Sequence, residues 1–160
     1  MLFPELVDRI QSMPRLVLTC SGSLPRREWT QQPAPGVFSL VEHCCHLRDL
    51  EEEGYTLRLR RMLREDGPSL DDFDGAVVAV RRAYPGQDLL AAAGAFAEAR
   101  AANVALLSSL DAGALARTAR FAEHGTITVA RLAELMAEHD ATHRQELVDL
   151  FRSLGSPFPG

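Results

Sequence analysis

Apolar residues recur every three to four positions in four long segments of the chain, which is the spacing of an amphipathic α-helix. The first segment runs from Glu5 to Thr19 and the second from Leu40 to Glu65. The third segment runs from Gln87 to Leu110, and the fourth from Val129 to about Leu154. No segment shows the alternation of a half-buried strand, and no segment repeats. The pattern therefore predicts an all-α protein with four long helices.

Stretches containing glycine and proline separate the predicted helices. Ser21 to Val37 is a long loop, and Ser69 to Pro85 is a connection with room for a short helix over Asp74 to Ala83. Asp111 to His124 crosses to the fourth helix. Pro14, inside the first segment, predicts a kink or a late start of that helix. Four long helices with two long connections are typical of a four-helix bundle with crossovers.

Length and composition predict a single domain over residues 1–160, with a core large enough to fold without disulfides. The net charge of −5 argues against a nucleic-acid or anionic-membrane partner. Three cysteines, two of them adjacent, do not form a secreted disulfide framework. The N-terminal stretch does not resemble a signal peptide, and no apolar run approaches the roughly 18 residues of a membrane span. We therefore expect a cytoplasmic protein.

The fourth segment is the most informative about chemistry. His139 and His143 occupy consecutive positions in the middle of an otherwise apolar face. Side chains four residues apart on a helix are neighbours, so both imidazoles can reach one metal ion. Two hydrogen-bonded core histidines are the alternative interpretation, and the spacing leaves both open. The face consists of Val129, Leu132, Met136, His139, His143, Leu147, Leu150 and Leu154.

A third ligand should come from a facing helix, and the second segment offers His43 and His46. On a helical wheel His43 lies about 40° from the centre of the apolar face and His46 about 100° from it. The wheel therefore favours His43 as the buried histidine and leaves His46 at the edge of the core. We interpret Cys44 and Cys45, which lie between them, as ordinary small core residues.

Other polar residues allow a functional or a purely structural interpretation. His124, in a loop, is either solvated or part of a cleft wall. We interpret the acidic run from Glu51 to Glu53 as a solvated helix face. The pair Arg100 and Asn103 lies either at the boundary between core and solvent or in the polar lining of a pocket.

The stretch from Phe38 to Glu51 resembles the second helix of DinB-like proteins, four-helix metalloproteins that are related to the YfiT-like group. In that family an aromatic-Ser pair precedes the helix, and the ligand histidine follows the aromatic residue by about eight positions. Counted from Phe38, this position is His46. The family's His-x-x-x-His pair corresponds to His139 and His143. The segments from Gly67 to Asp74 and from Gly125 to Val129 also look like the family, and the likeness covers most of the chain.

The resemblance implies an up-down-down-up bundle, often a homodimer, with His46, His139 and His143 holding a divalent metal, zinc or nickel, beside an open water position. It implies a metal-dependent hydrolase or a thiol-dependent transferase acting on a small molecule. Asp49 and Glu53 are candidate hydrogen-bond partners of His46. Asp140 and Glu146 are candidate partners of the other pair.

Three other functions stay open from the sequence. The ion can serve only to stabilise a non-catalytic stress or interaction protein. The sequence His139-Asp140-Ala141-Thr142-His143 is similar to the His-Glu-x-x-His motif of metallopeptidases, although aspartate shortens the general base. A helical interaction module without metal is the simplest alternative.

Overall fold

Four long helical segments form the body of the protein, as the apolar pattern predicts, in a computed structural model that describes residues 2–160. Short helices and 3₁₀ turns connect them. The α-helices are α1 (Phe3–Ser23), α2 (Leu40–Asp49), α3 (Thr56–Arg64), α4 (Gly75–Arg81), α5 (Leu89–Ser108), α6 (Ala112–Leu115) and α7 (Val129–Ser153). The strands are β1 (Ser69–Leu70), β2 (Thr118–Phe121) and β3 (Thr126–Thr128). The predicted four-helix bundle is thus confirmed.

The second long segment is one helical rod with an irregular turn in its middle. Ser39 begins it with a capping box, since its backbone N–H donates to the Glu42 carboxylate at 2.8 Å. Between α2 and α3, Leu50–Tyr55 forms a π turn, in which the Thr56 N–H donates to the carbonyl of Glu51, five residues back. The π turn lies directly after the helix that carries His43 and His46, and it changes which residues face the same side.

The first helix begins at Phe3 and continues through Pro14 to Ser23, so the expected late start of this helix is wrong. A proline within a helix leaves the carbonyl four residues earlier without its usual N–H donor. Here that carbonyl belongs to Ile10, and Arg100 Nη1 of α5 donates to it at 2.9 Å. A buried side chain therefore replaces the missing backbone hydrogen bond.

The three short strands form a sheet that the apolar pattern did not predict. β1 pairs with β2 in parallel, and β2 pairs with β3 antiparallel, with Ala119 opposite Ile127. Exposed and buried residues do alternate along β2. The strands have only two to four residues, however, and alternation over so few positions does not stand out from chance.

By length and composition alone, α5 is apolar enough to cross a membrane, contrary to the expectation that no segment is. A single such helix is weak evidence, because core helices of globular proteins share this composition. α5 packs against α1 and α2, Phe96 and Leu107 are buried, and Arg100 is held in buried ion pairs. Packing inside the bundle thus accounts for its apolar character.

Two hydrophobic clusters fill the bundle, and the histidines lie between them. Along α2, Leu47 belongs to the first cluster, whereas Leu50 at the start of the π turn belongs to the second. Along α7, Ala137 belongs to the second cluster and Leu147 to the first. A polar layer containing His46, from α2, and two histidines of α7 therefore divides the core.

Candidate metal centre

Three imidazoles from two helices converge in this polar layer. His46 Nε2 lies 3.3 Å from His139 Nε2, and His143 Nε2 lies 3.0 Å from the same atom. Each of the three residues offers a nitrogen within 4.8 Å of those of the other two. The structure therefore brings together the three residues that the family resemblance selects. His43, which the helical wheel favours, is the more deeply buried histidine of α2, but it does not belong to this group.

The surroundings of His46 fix the position of its ring. Phe38 packs against it with ring centroids 5.4 Å apart, and Phe73 approaches it at 6.1 Å. Gly75, the first residue of α4, is even closer. A Cβ atom on Gly75 would lie 2.5 Å from Cε1 and 2.7 Å from Nδ1 of His46. A residue without a side chain is thus required for His46 to lie where it does.

Burial keeps the imidazoles of His46 and His139 neutral, which is the form that binds metal. Burial, with the neighbouring histidines adding to it, lowers the pKa of His139 to about 2. Burial and the charge of His143 lower the pKa of His46 to about 4. Nδ1 of His46 and of His139 lacks a hydrogen-bond partner among the described residues.

The three converging nitrogens suit a divalent ion better than they suit one another. A hydrogen bond joins only two nitrogens, one as donor and one as acceptor, whereas an ion binds a lone pair from each. Metal–nitrogen bonds of 2.0–2.1 Å in a tetrahedral site place donor atoms about 3.3 Å apart. The observed separations of 3.0 and 3.3 Å are close to this spacing. The residues present therefore fit a metal ion.

A second group of possible ligands shares His143. Its Nδ1 lies 2.9 Å from Glu146 Oε2 and 3.0 Å from His43 Nδ1. The hydrogen bond from His143 lowers the pKa of Glu146, so this carboxylate is ionised and accepts a hydrogen bond from the Nδ1–H group of His143. That hydrogen bond selects the tautomer of His143 whose Nε2 lone pair faces His46 and His139. Glu146 thus orients the ring of His143, the partner that the sequence analysis suggested for it.

The other proposed acidic partners bond elsewhere, and those expectations are wrong. Asp49 accepts from Tyr84 at 2.7 Å and pairs with Arg48 and Arg82. Glu53 is held by the same Arg82. Neither carboxylate forms a hydrogen bond with His46, because Arg48 of α2 and Arg82, directly after α4, bind them instead.

A buried ion-pair network lies behind the histidines, and the sequence reading missed it. Arg100, 1% exposed, donates to Glu51 at 2.8 Å and to Asp140 at 2.6 Å. Asn103 donates to the same Glu51 at 2.7 Å. Glu51 is therefore buried, not on a solvated face, and Arg100 is not a boundary residue. The one sequence feature that could have indicated this network is an arginine and an asparagine three residues apart in an alanine-rich helix.

This network also removes the metallopeptidase interpretation. The general base of His-Glu-x-x-His must face the substrate beside the metal. Asp140 instead points away from the histidines' cleft into the core and forms a two-atom contact with Arg100. Burial raises the pKa of Asp140, and the nearby guanidinium opposes that effect.

The cysteines are buried and free, as expected of core residues. Burial raises the pKa of Cys44 to about 12 and that of Cys45 to about 11. Both thiols therefore stay protonated at neutral pH, and neither can act as a thiolate nucleophile or metal ligand.

A cleft of about 340 Å³ opens beside His46 and His139. His124 is exposed to solvent and also contributes to the cleft wall, where it stacks on Phe121 at a centroid distance of 5.3 Å, so both of its interpretations apply. The volume suits a small molecule. The full lining consists of His46, Leu50, Tyr55, Arg58, Asp72, Phe73, Phe121, His124, Leu135, Glu138, His139 and Thr142.

Comparison with protein families decides the chain's relationship. The model of the DinB superfamily matches residues 9–147, which is most of the chain. The chain belongs to the DinB superfamily. This DinB-superfamily membership confirms the resemblance drawn from the second and last helices, while no curated protein sequence matches the chain significantly.

A solved structure shows the same fold. YfiT from Bacillus subtilis, described as a probable metal-dependent hydrolase with an unusual four-helix bundle topology, superposes with a TM-score of 0.87. The alignment covers 97% of this DinB-superfamily chain and 89% of YfiT, at 17% sequence identity. At this identity the likeness establishes the fold, whereas the activity must be argued from the site itself.

Proposed function

We propose that this protein is a metal-dependent hydrolase that binds one divalent ion through His46, His139 and His143 and acts on a small molecule in the adjoining cleft. The observation that carries the proposal is the convergence of three Nε2 atoms, two of which belong to histidines that line an open cleft. Three neutral protein ligands with access for solvent are typical of catalytic sites, whereas structural sites are closed by four. The description of YfiT as a probable metal-dependent hydrolase supports the same reaction class.

Bound there, the ion would polarise a substrate oxygen and lower the pKa of a water molecule towards neutrality. Zinc and nickel both suit imidazole ligands. The chain's own residues orient and shield the site. Glu146 accepts a hydrogen bond from Nδ1 of His143, Phe38 and Gly75 fix the ring of His46, and Phe73 and Phe121 give the cleft an apolar wall.

Two alternatives make different predictions. In a thiol-dependent transferase the thiol must arrive as a co-substrate, because burial keeps the chain's own thiols protonated. In a non-catalytic protein the ion would contribute only stability. The cleft beside His46 and His139 favours catalysis, since a purely structural ion needs no access to solvent.

Metal content of the untagged protein, measured by mass spectrometry, tests the proposal. We expect about one zinc or nickel ion per chain, lost in His46→Ala, His139→Ala and His143→Ala. His124→Ala is the matched control, because it removes an imidazole from the same cleft but outside the group, and it should retain the metal. His43→Ala should also retain it, since loss there would place the ion at the second group.

Absence of metal from the wild-type protein, even after incubation with zinc and nickel, would refute the metal centre. Hydrolysis of a panel of small esters and amides by metal-loaded protein, abolished in His139→Ala, would support the hydrolase. Metal binding that raises thermal stability without any turnover would favour the non-catalytic alternative.

A further inference from the structure

Arg58 is a buried cation in the wall of the cleft whose charge no carboxylate neutralises. Its side chain is 6% exposed, and among the described residues no carboxylate oxygen lies within 4.0 Å of its guanidinium. The nearest acids are Asp71 and Asp72, both exposed. Burial lowers the pKa of Arg58, although arginine still remains charged at neutral pH. Buried charges are normally paired, so we expect Arg58 to bind an anionic partner.

The contacts of Arg58 leave part of its hydrogen-bonding capacity free. Nε and Nη2 donate to the backbone carbonyl of Asp71 at 3.2 and 3.1 Å. The guanidinium lies over the ring of Phe121, with Cζ 4.4 Å from the centroid, and 5.7 Å from that of Tyr55. An arginine has five N–H donors in a planar fork, so about three remain, among them both on Nη1. A fork held in place in this way suits an oxyanion that accepts two parallel hydrogen bonds.

The π turn is the reason that Arg58 faces the cleft. Residues of an α-helix advance 100° each, so Arg58, twelve positions after His46, would lie about 120° away from it around a regular helix. One additional residue in the π turn reduces that angle to about 20°. The cleft-lining residues of this rod, His46, Leu50, Tyr55 and Arg58, show the extra residue as a spacing of five between Leu50 and Tyr55.

Glycine in the π turn leaves space for the side chain of Leu50, which lines the cleft beside Arg58. A Cβ atom on Gly54 would lie 2.7 Å from Leu50 Cδ1 and 3.4 Å from Arg58 Nη1. Two carboxylates also line the cleft, and neither forms an ion pair with Arg58: Glu138 accepts from Arg131 at 2.6 Å, and the exposed Asp72 accepts from the backbone N–H of Phe73 at 2.8 Å. The cleft therefore presents a free positive group beside the histidines, with aromatic rings on either side.

We propose that Arg58 binds an oxyanion of the substrate, a carboxylate or a phosphoryl group, and so makes the cleft selective for small anionic molecules with an apolar part. Tyr55, Phe73 and Phe121 would contact the apolar part. The inference rests on the proposed function only in calling the bound molecule a substrate, since binding of the anion requires no turnover.

Binding of three probes to the zinc-loaded protein tests the inference by calorimetry. The probes are succinate, inorganic phosphate and the neutral analogue succinamide. We expect succinate or phosphate to bind at least tenfold more tightly than succinamide, and the anion that binds better identifies the group. Arg58→Met keeps the apolar stem and should weaken anion binding ten- to a hundredfold, because it removes charge-assisted hydrogen bonds to the anion. Arg60→Met, an exposed arginine of the same helix, is the matched control and should leave binding unchanged.

Several outcomes would overturn the proposal. Anion binding by Arg58→Met at wild-type strength would assign the anion to the metal or another group. Equal affinity for succinamide, or no binding of either anion, would refute selectivity for charge. Arg58→Lys keeps the charge but loses the fork, and its binding should be intermediate, which preserves the test if Arg58→Met does not fold. Repeating the titration on metal-free wild type and Arg58→Met separates the two proposals, because an effect of Arg58 there supports this one even if no metal binds.

Discussion

Substitution of Gly75 by alanine should weaken metal binding although it replaces none of the three histidines. The added Cβ would lie 2.5 Å from Cε1 of His46, whereas ordinary contact begins near 3.4 Å. The ring must therefore move by about 0.9 Å, well beyond the roughly 0.2 Å that metal–ligand distances tolerate. The backbone itself is no obstacle, since Gly75 is not among the residues with positive φ.

We expect the Gly75→Ala protein to bind zinc ten- to a hundredfold more weakly, the usual effect of disturbing a residue that orients a ligand. That factor corresponds to about 1.4–2.7 kcal/mol. Competition with a chromophoric chelator measures the affinity, and urea unfolding of the metal-free protein measures stability separately. Gly94→Ala is the matched control, because a Cβ there meets nothing within 4 Å. It should leave zinc affinity unchanged and raise stability by at most about 1 kcal/mol.

Zinc affinity of Gly75→Ala within twofold of the wild-type value would refute this reasoning. It would mean that the short helix α4 moves aside, or that His46 does not bind the ion. His46→Ala distinguishes the two explanations, because a ligand's removal must lower the affinity whatever α4 does.

Two further predictions concern stability. Arg100→Met should lower the free energy of unfolding by about 3–5 kcal/mol, because it leaves Glu51 and Asp140 buried without a cation. Arg131→Met, which breaks a surface network, should cost at most about 1 kcal/mol, and equal urea midpoints for the two variants would contradict the argument. Burial lowers the pKa values of His43, His46 and His139 below the ordinary value of 6.5, so the unfolded chain binds more protons below that pH. The metal-free protein should therefore lose stability as pH falls from 6.5 towards about 4, by at most about 1.4 kcal/mol per pH unit and histidine, and a urea midpoint equal at pH 7.5 and 5 would contradict this.

The sequence predicted those features that depend on local periodicity. The helices followed from apolar spacing, and the neighbouring positions of His139 and His143 followed from their separation by four residues. The choice between His43 and His46 needed the family resemblance, because a helical wheel describes an isolated regular helix. In the structure both are buried, and what differs is the atom that each ring meets across the interface with α7.

Features that depend on tertiary packing escaped the sequence reading. The π turn has no composition of its own, and nothing in the run from Leu50 to Tyr55 distinguishes it from an ordinary helix. The burial of Glu51 depends on that turn and on a partner 49 positions away in Arg100. An acidic run is normally solvated, so only the partner's position reveals which of three adjacent glutamates enters the core.

Arg100 joins the parts of the protein that build the cleft. It donates to Ile10 of α1, to Glu51 of the π turn and to Asp140, the neighbour of His139 on α7. A hydrophobic residue could fill the same volume, and exchanging a buried ion pair for apolar residues often preserves stability. It could not fix the rotation of the π turn relative to α7, because apolar contacts lack direction. We infer that the network positions Arg58 and His139 on the same cleft. The triple variant Arg100→Met, Glu51→Leu and Asp140→Leu should therefore recover much of the stability that Arg100→Met loses, but not zinc affinity, because only the carbonyl of Ile10 and the amide of Asn103 lose a partner. Recovery of both would show that the network contributes stability alone.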